Sequence, residues 1–139
     1  MVSTWFLVDR MPTPDEHRRL AEAVGWGEAF DWGTLPASLD GSTLGVVAVS
    51  GSQTIGMGRV VGDGVKYFAV QDLAIDPHFQ RAGLGRAVLD RLLLLIAERA
   101  PSPASVTLFA STAGESLYEA AGFLRSDMVG MFQNIDPRP

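Results

Sequence analysis

Residues 80–99 have the sequence "QRAGLGRAVLDRLLLLIAER". Two glycines, Gly83 and Gly85, stand at the start of its most apolar run. The side chains on one helical stripe of that run are all apolar, and they are Leu84, Val88, Leu92 and Leu95. This spacing predicts an amphipathic helix over 84–99 whose apolar side packs against a sheet.

The glycines before this helix allow two interpretations. A helix N-terminus leaves backbone N–H groups unpaired and carries partial positive charge, and glycines let a phosphate approach those groups closely. A tight turn that only connects two elements is the alternative. The segment is not a P-loop, because Arg86 and Ala87 follow the last glycine. It is not a dinucleotide fingerprint either, because Val88 stands where the third glycine belongs.

Three strand-like runs precede this segment, at 44–50, 54–61 and 65–75. Short turns separate them, including "GDG" at 62–64, which is a strong hairpin signal. They predict an antiparallel meander. The glycines of "GMGRVVG" at 56–62 lie within a strand of that meander, so they do not open a helix as a phosphate loop would.

The remaining elements complete an α/β pattern. The predicted elements are a strand at 4–9, a helix at 13–26, a short helix at 35–39, a strand at 106–110, a helix at 111–123 and a last strand at 128–135. The β–helix–β unit from 65 to 110 requires a right-handed crossover between parallel strands. We therefore expect a mixed sheet with a parallel part near its middle, in a single domain over 1–139.

The helix predicted at 111–123 carries signals at both ends. Thr112 and Glu115 have the spacing of a capping box, and Gly122 stands where a left-handed C-cap belongs.

Composition excludes several classes of protein. The 139 residues carry a net charge of −5, which disfavours nucleic-acid binding, and there is no cysteine for a disulfide, a thiolate zinc site or an acyl-cysteine intermediate. His17 and His78 are far apart in sequence, so we expect no metal site and interpret both as surface histidines. The apolar run at 92–97 is too short to cross a membrane, and the N-terminus lacks a signal-peptide pattern. The protein is therefore expected to be cytoplasmic.

The chain resembles the GNAT superfamily of N-acetyltransferases. In "LAIDPHFQRAGLGRAVL" (73–89), Gln80, Gly83 and Gly85 fill the superfamily's signature Gln/Arg-x-x-Gly-x-Gly/Ala, and "LYEAAGF" (117–123) looks like its second marker. The resemblance is strong from 70 to 123 and thin before residue 43. It implies an α/β fold with a mixed, mostly antiparallel sheet, a central splayed parallel pair and flanking helices. "VGW", "GMGRVVGDG" and "VQDLAI" are similar to a small bacterial subgroup without an assigned substrate.

Acetyl-CoA is the co-substrate that this resemblance implies. Its pantetheine arm would pair with the strand backbone, its pyrophosphate would lie on the loop, and its thioester oxygen would lie near the Leu73 amide. The residues implied in cofactor binding are Leu73, Ala74, Ile75, Gln80, Arg81, Ala82, Gly83, Leu84, Gly85, Arg86 and Ser111. Because the chain has no cysteine, direct transfer of the acetyl group to the acceptor is the simplest scheme.

Tyr118 matches the superfamily tyrosine that protonates the departing thiolate, although a core tyrosine is the plain alternative. The residue at the position of the usual glutamate base is Gln71, which cannot act as a base. Strand alternation places the adjacent Asp72 on the opposite face, where we interpret it as structural. Arg59 binds either an acidic acceptor group or a carboxylate such as Asp72, and we favour Asp72. Trp26 either walls the acceptor site or packs in the core.

The function expected from these residues is transfer of an acetyl group to a primary amine of a small molecule. A non-catalytic acyl-CoA-binding regulatory module and an acyltransferase for longer acyl groups are the alternatives. We also expect a homodimer that forms through the apolar segment 128–135, and no nucleic-acid or membrane partner.

Overall fold

A five-stranded sheet organises the chain, and its strands follow one another in sequence order. The computed structural model describes residues 4–138. The strands are β1 (Phe6–Val8), β2 (Leu44–Ser50), β3 (Gln53–Gly62), β4 (Tyr67–Ile75) and β5 (Ser105–Thr107). The helices are α1 (Pro14–Ala23), α2 (Leu35–Asp40), α3 (Leu84–Arg99) and α4 (Glu115–Ala120). The α/β fold with a mixed sheet and flanking helices is confirmed. Two compact units are distinguished, Met1–Leu108 and Phe109–Pro139.

The meander predicted for residues 44–75 is confirmed. Strands β2, β3 and β4 pair antiparallel, and α3 spans the predicted residues. Strand β4 begins at Tyr67 rather than at 65, because a side chain holds the preceding turn. The Asp63 carboxylate accepts hydrogen bonds from the backbone N–H groups of Val65 at 2.8 Å and Lys66 at 2.7 Å. Those two groups are thereby withdrawn from the strand ladder.

Strands β4 and β5 form the expected parallel pair, which lies at one edge of the sheet rather than in its middle. The pairing runs from Tyr67 opposite Ser105 to Ala69 opposite Thr107. Beyond Ala69 the outer edge of β4 has no strand partner among residues 4–138. The pairing therefore ends at Ala69, which leaves six residues of β4 with an open backbone edge. The prediction of a central pair was wrong because the segment 128–135 forms no strand beside β5.

Helices α1 and α3 cover opposite faces of the sheet. Leu20 of α1 belongs to a buried cluster with Met57 of β3 and Ala74 of β4. The next residue of β3, Gly58, points to the other face, where a β-carbon would lie 2.8 Å from Leu92 Cδ1 of α3. This close approach of helix and strand explains the glycine inside β3.

The unit from 109 onward differs from its prediction. The helix expected at 111–123 begins with a 3₁₀ turn at Thr112–Gly114 and continues as α4. Its cap is Ser111, whose Oγ accepts from the Gly114 N–H at 3.2 Å, so the predicted capping box of Thr112 and Glu115 is not used. Gly122 has φ +96°, which confirms the predicted left-handed residue after the helix.

The strand predicted at 128–135 is absent, since the structure shows no regular element there. An apolar β-like sequence becomes a strand only where another strand offers its backbone groups, and that partner is not encoded in the segment itself. The segment's large apolar side chains are each more than 80% exposed, and they are Met128, Val129, Met131, Phe132 and Ile135.

Among residues 4–138, no helix combines the length and the apolar composition that crossing a membrane requires.

Candidate functional site

The loop between β4 and α3 is fixed at the end of the strand. The Gln80 side-chain amide donates from Nε2 to the carbonyl oxygen of Ile75 at 3.2 Å. Asp76 accepts from the N–H of His78 at 2.9 Å and begins a short 3₁₀ turn over Pro77–Phe79. The first residue of the glycine signature therefore holds the loop against the strand that precedes it.

Helix α3 begins without a side-chain cap. Gly83 is its N-cap in the left-handed region, with φ +77°, and Arg81 also has a positive φ of +67°. The first helical bond joins the Ala87 N–H to the Gly83 carbonyl at 3.1 Å. The N–H groups of Leu84, Gly85 and Arg86 precede that bond, so they have no acceptor within the helix. They point out of the helix N-terminus, which suits an anion.

The end of strand β4 offers its backbone rather than its side chains. Leu73 lies toward α3, beside Gly58, and Ile75 lies beside Gly56 on the same face. Ala74 lies on the α1 face in the buried cluster. Because these side chains pack on the two faces, the groups that remain at the open edge are the peptide N–H and C=O groups.

A β-bulge interrupts β4 just before these residues. Met57 stands opposite Ala74 and Arg59 opposite Gln71, so Asp72 and Leu73 share one place opposite Gly58. Asp72 has φ +55°, a left-handed conformation that is uncommon for a residue other than glycine. The bulge turns the Asp72 carboxylate toward Arg59. In a strand with regular alternation this carboxylate would lie on the other face of the sheet. The prediction that Asp72 points to the opposite face was therefore wrong.

A buried ionic cluster holds Asp72 in this conformation. Asp72 Oδ2 accepts from Arg59 Nε at 2.8 Å and lies 2.9 Å from His17 Nε2. Arg59 also donates to the Ser38 carbonyl at 3.1 Å and to Ser42 Oγ at 3.0 Å. Burial by itself would raise the pKa of Asp72, but the hydrogen bond from His17 and the charge of Arg59 outweigh it and lower the pKa. The predicted pairing of Arg59 with Asp72 is confirmed.

His17 is a core residue, so its interpretation as a surface histidine was wrong. Its side chain is fully buried, and Phe30 and Trp32 pack against its ring at centroid distances of 4.8 and 6.2 Å. Its Nδ1 atom has no hydrogen-bond partner within residues 4–138. A buried polar atom without a partner costs about 1–3 kcal/mol. The sequence carried a signal: His17 precedes the buried Leu20 and Ala21 by three and four residues, on the apolar side of α1.

His78 is exposed, as predicted, with 89% of its side chain accessible.

Tyr118 lies in the unit from 109 onward, together with Ser111. Its ring is half-buried and meets the edge of Phe123 at a centroid distance of 6.0 Å. Burial raises the pKa of the Tyr118 phenol above its ordinary value, so the group keeps its proton at neutral pH. A protonated phenol is the form that a general acid requires. The Ser111 hydroxyl is engaged in its cap, and its role toward a cofactor stays a prediction.

The two residues expected at the acceptor are both partly exposed. Trp26 packs against the cluster of Leu20 and Met57, and Gln71 stands opposite Arg59 in the sheet. The packing of Trp26 accounts for the residue structurally, and its contact with an acceptor stays a prediction.

Two cavities lie away from this region. One of about 500 Å³ is bounded by the second half of α3 and the start of β2, and one of about 390 Å³ lies between the end of α3 and β5. Neither touches the N-terminus of α3, so concavity alone does not identify the candidate site. Within residues 4–138, no group of three His, Asp or Glu side chains is arranged to hold a metal ion.

Comparison with known proteins places this geometry in a family. The sequence model of the "Acetyltransferase (GNAT) domain" matches residues 25–137. A probable acetyltransferase from meticillin-resistant Staphylococcus aureus superposes with a TM-score of 0.86 at 22% identity, over 95% of this chain and all of that one. A GNAT-family protein of Streptococcus pneumoniae superposes with a TM-score of 0.80 at 25% identity, over 95% and 98% of the two chains.

Relatives found by sequence similarity are also named as N-acetyltransferases. An uncharacterised N-acetyltransferase of Pyropia yezoensis is 27% identical over 123 residues, which are 84% of this chain and 69% of that protein. Serotonin N-acetyltransferase 2 of Oryza sativa subsp. japonica is 32% identical over 74 residues, which are 53% of this chain and 36% of the rice protein. The chain thus spans about a third of the rice enzyme.

Proposed function

We propose that this protein, which belongs to the GNAT family of acetyltransferases, transfers the acetyl group of acetyl-CoA directly to a primary amine of a small molecule. The observation that carries the proposal is the uncapped, glycine-led N-terminus of α3, which directly follows the open-edged end of β4. The helix N-terminus suits the pyrophosphate of coenzyme A. The open strand edge suits its amide-bearing pantetheine arm.

The loop supports binding of the pyrophosphate. Gln80 is committed to the Ile75 carbonyl, so its part is to shape the loop rather than to contact the phosphates. Arg81 and Gly83 both adopt positive φ, a backbone conformation that occurs in anion-binding turns. Arg86 adds a cation, although it is partly neutralised by Asp90 at 2.9 Å.

The open edge of β4 supports binding of the pantetheine arm. That arm carries two amides, and an extended chain with amides can hydrogen-bond to a free strand edge as an added strand does. The bulge at Asp72 interrupts the regular ladder at the same point. We infer that the Leu73 N–H donates a hydrogen bond to the thioester oxygen. The same N–H would stabilise the oxyanion that forms when the amine attacks.

Tyr118 is the group that we assign to the departing thiolate. It keeps its proton at neutral pH because burial raises the pKa of its phenol. Since the chain contains no cysteine, the amine attacks the thioester itself and no acyl-cysteine forms.

The test is a screen for release of free coenzyme A thiol. Acetyl-CoA is incubated with the protein and with single amines, among them serotonin, a histone peptide and glucosamine-6-phosphate, which the names of relatives and structural neighbours suggest. We expect thiol release that depends on one class of amine, and a product heavier than the amine by one acetyl group.

The same screen separates the alternatives. Tight binding of coenzyme A without turnover of any amine would reject the enzyme and favour a regulatory acyl-CoA-binding module. A parallel donor panel with propionyl-CoA and succinyl-CoA distinguishes an acetyltransferase from an enzyme for longer acyl groups. Turnover that is faster with a longer donor than with acetyl-CoA would correct the proposed donor.

We also propose a homodimer formed through residues 128–135. The large apolar side chains of that segment are more than 80% exposed. A run of exposed apolar side chains with strand-like composition is the kind of surface that associates with a second chain.

A further inference from the structure

The residue at the usual position of the general base, Gln71, cannot accept a proton, yet an alkylammonium acceptor must lose one before its nitrogen can attack. The structure contains one imidazole close to this point. His17 of α1 reaches over strand β4 and lies 2.9 Å from the carboxylate of Asp72, the residue after Gln71 and before Leu73.

The contact with Asp72 determines which ring nitrogen carries the proton. An ionised carboxylate only accepts hydrogen bonds, so His17 Nε2 is the donor. In a neutral imidazole the second nitrogen then holds a lone pair, and that nitrogen is Nδ1, which is buried without a partner within residues 4–138. Arg59 donates to the same Asp72 oxygen at 2.8 Å and fixes the carboxylate. A histidine base oriented by a fixed carboxylate is the arrangement found in Ser-His-Asp triads.

Two aromatic side chains pack against the imidazole ring of His17. The ionisable groups bonded into the cluster are Asp72 of β4 and Arg59 of β3, on the same oxygen. From the segment between α1 and α2, Phe30 meets the imidazole edge-on at 88° and Trp32 at 72°. Both rings are only partly buried, so their outer sides face solvent. Because His17 is fully buried, an amine reaches Nδ1 only if one of these rings moves aside.

We propose that His17 is the general base of the acetyl transfer, with Asp72 as its positioning residue. This inference rests on the proposed function. In the overall change R–NH3+ and acetyl-CoA become R–NH–CO–CH3, CoA–SH and one proton. Nδ1 takes one proton from the ammonium, the C–N bond forms, and the C–S bond breaks. The nitrogen's second proton balances the one that Tyr118 gives to the thiolate, and the proton held by His17 passes to solvent.

The first test needs no acceptor. Two-bond 1H–15N correlation spectra of protein labelled at histidine nitrogens report which ring nitrogen carries hydrogen. We expect His17 to carry hydrogen on Nε2 and none on Nδ1. A resting His17 with hydrogen on Nδ1 and a bare Nε2 would overturn the proposal, because the buried lone pair would then not exist.

The second test uses the His17→Gln variant, whose amide can still donate to Asp72 but cannot act as a base. Turnover is compared for an alkylamine, which is protonated at pH 7, and an arylamine of similar size, which is neutral at pH 7 and needs no deprotonation before attack. We expect a loss of ~10²-fold or more for the alkylamine and a much smaller loss for the arylamine. Equal losses for both amines would mean that His17 only supports the structure.

Matched variants keep the result interpretable. His78→Gln removes the exposed histidine, which makes no contact with the cluster, and should behave as wild type with both amines. His17→Asn serves if His17→Gln does not fold. Coenzyme A affinity, measured by calorimetry, should be unchanged in each. If the wild type acetylates no amine, the proposed function fails and this inference fails with it. If the wild type is active and His17→Gln retains full alkylamine turnover, the inference alone fails.

Discussion

At the scale of single residues, Tyr118 is the group whose chemistry is most narrowly defined. Its phenol is half-buried and retains its proton, since burial raises its pKa. Its ring packs against Phe123, so the ring also contributes to the packing of this unit. The two parts are separable because the Tyr118→Phe variant keeps the ring and removes only the hydroxyl group.

We therefore expect Tyr118→Phe to keep its fold and its coenzyme A affinity while turnover falls by ~10²-fold or more. The loss should shrink with a donor whose leaving thiol is more acidic, because that thiolate needs a proton less. Steady-state kinetics with two thioesters check both statements, with Phe123→Leu as a control for packing. Wild-type turnover in Tyr118→Phe would leave the residue as a packing group.

Glu16 gives a prediction about pH. Its hydrogen bond with Arg10 at 2.8 Å, helped by Thr13 and Thr54, lowers the pKa of Glu16 from 4.5 to about 2. A carboxylate with a lowered folded-state pKa stabilises the fold above its unfolded pKa and loses that contribution as pH falls. Stability should therefore decline between pH 4.5 and about 2 in part through this group.

The variant Glu16→Gln keeps the reach of the capping side chain and removes the charge. We expect urea titrations to show it less stable than wild type at pH 7, with the difference vanishing as pH falls toward 2. Glu22→Gln, from the exposed pair with Arg18, is the control and should follow the wild-type acid profile. A constant difference between Glu16→Gln and wild type across this range would contradict the assignment.

At the scale of elements, Gly83 at the start of α3 affects both the stability of the fold and the proposed binding of phosphate. A β-carbon at Gly83 would meet no atom within 4 Å, so the residue is glycine because of its φ of +77° and not because of crowding. Gly51, in the turn between β2 and β3, has φ +61° and equally open surroundings. The two sites therefore impose similar backbone strain, and only Gly83 lies at the proposed phosphate site.

We expect Gly83→Ala and Gly51→Ala to destabilise the fold by a similar amount, about 1–2 kcal/mol each. Only Gly83→Ala should weaken coenzyme A binding in calorimetry, because its methyl group and altered backbone disturb the N–H groups at the helix start. Gly85→Asp should weaken binding further by placing a negative charge beside the pyrophosphate. If Gly83→Ala and Gly85→Asp bound coenzyme A as tightly as the Gly51→Ala control, the phosphate-loop interpretation would be rejected.

At the scale of the whole molecule, the proposed dimer depends on residues 128–135. Light scattering should give twice the chain mass, and Phe132→Asp should shift the protein toward monomer by placing a charge in the apolar segment. Val65→Asp alters an apolar side chain that is 54% exposed in another part of the chain and should leave the mass unchanged. A monomer over a wide concentration range would contradict the dimer.

The parts of the fold that sequence predicted are those that local patterns encode. Helix 84–99 and the meander follow from apolar periodicity and turn residues, and the sequence signature located the loop of Gln80 and Gly83. The side of the sheet to which Asp72 points was mispredicted, because alternation assumes a regular strand and a bulge depends on the partner strand. The strand expected at 128–135 failed for a similar reason, since strand pairing is non-local. The burial of His17 was overlooked although its helical spacing indicated it.

The bulge at Asp72 has a consequence for how two ligands would affect each other's binding. Its carboxylate is bonded to His17 of α1 and to Arg59, which in turn holds the backbone of α2, while its own peptide bond continues into Leu73. A rearrangement of the helices on that face would therefore act on the strand edge through Asp72. If the acceptor shifts α1 and coenzyme A fixes the conformation of the strand edge, each ligand must change the affinity for the other by the same factor. For the proposed reaction we expect cooperativity between coenzyme A and the acceptor rather than independent binding.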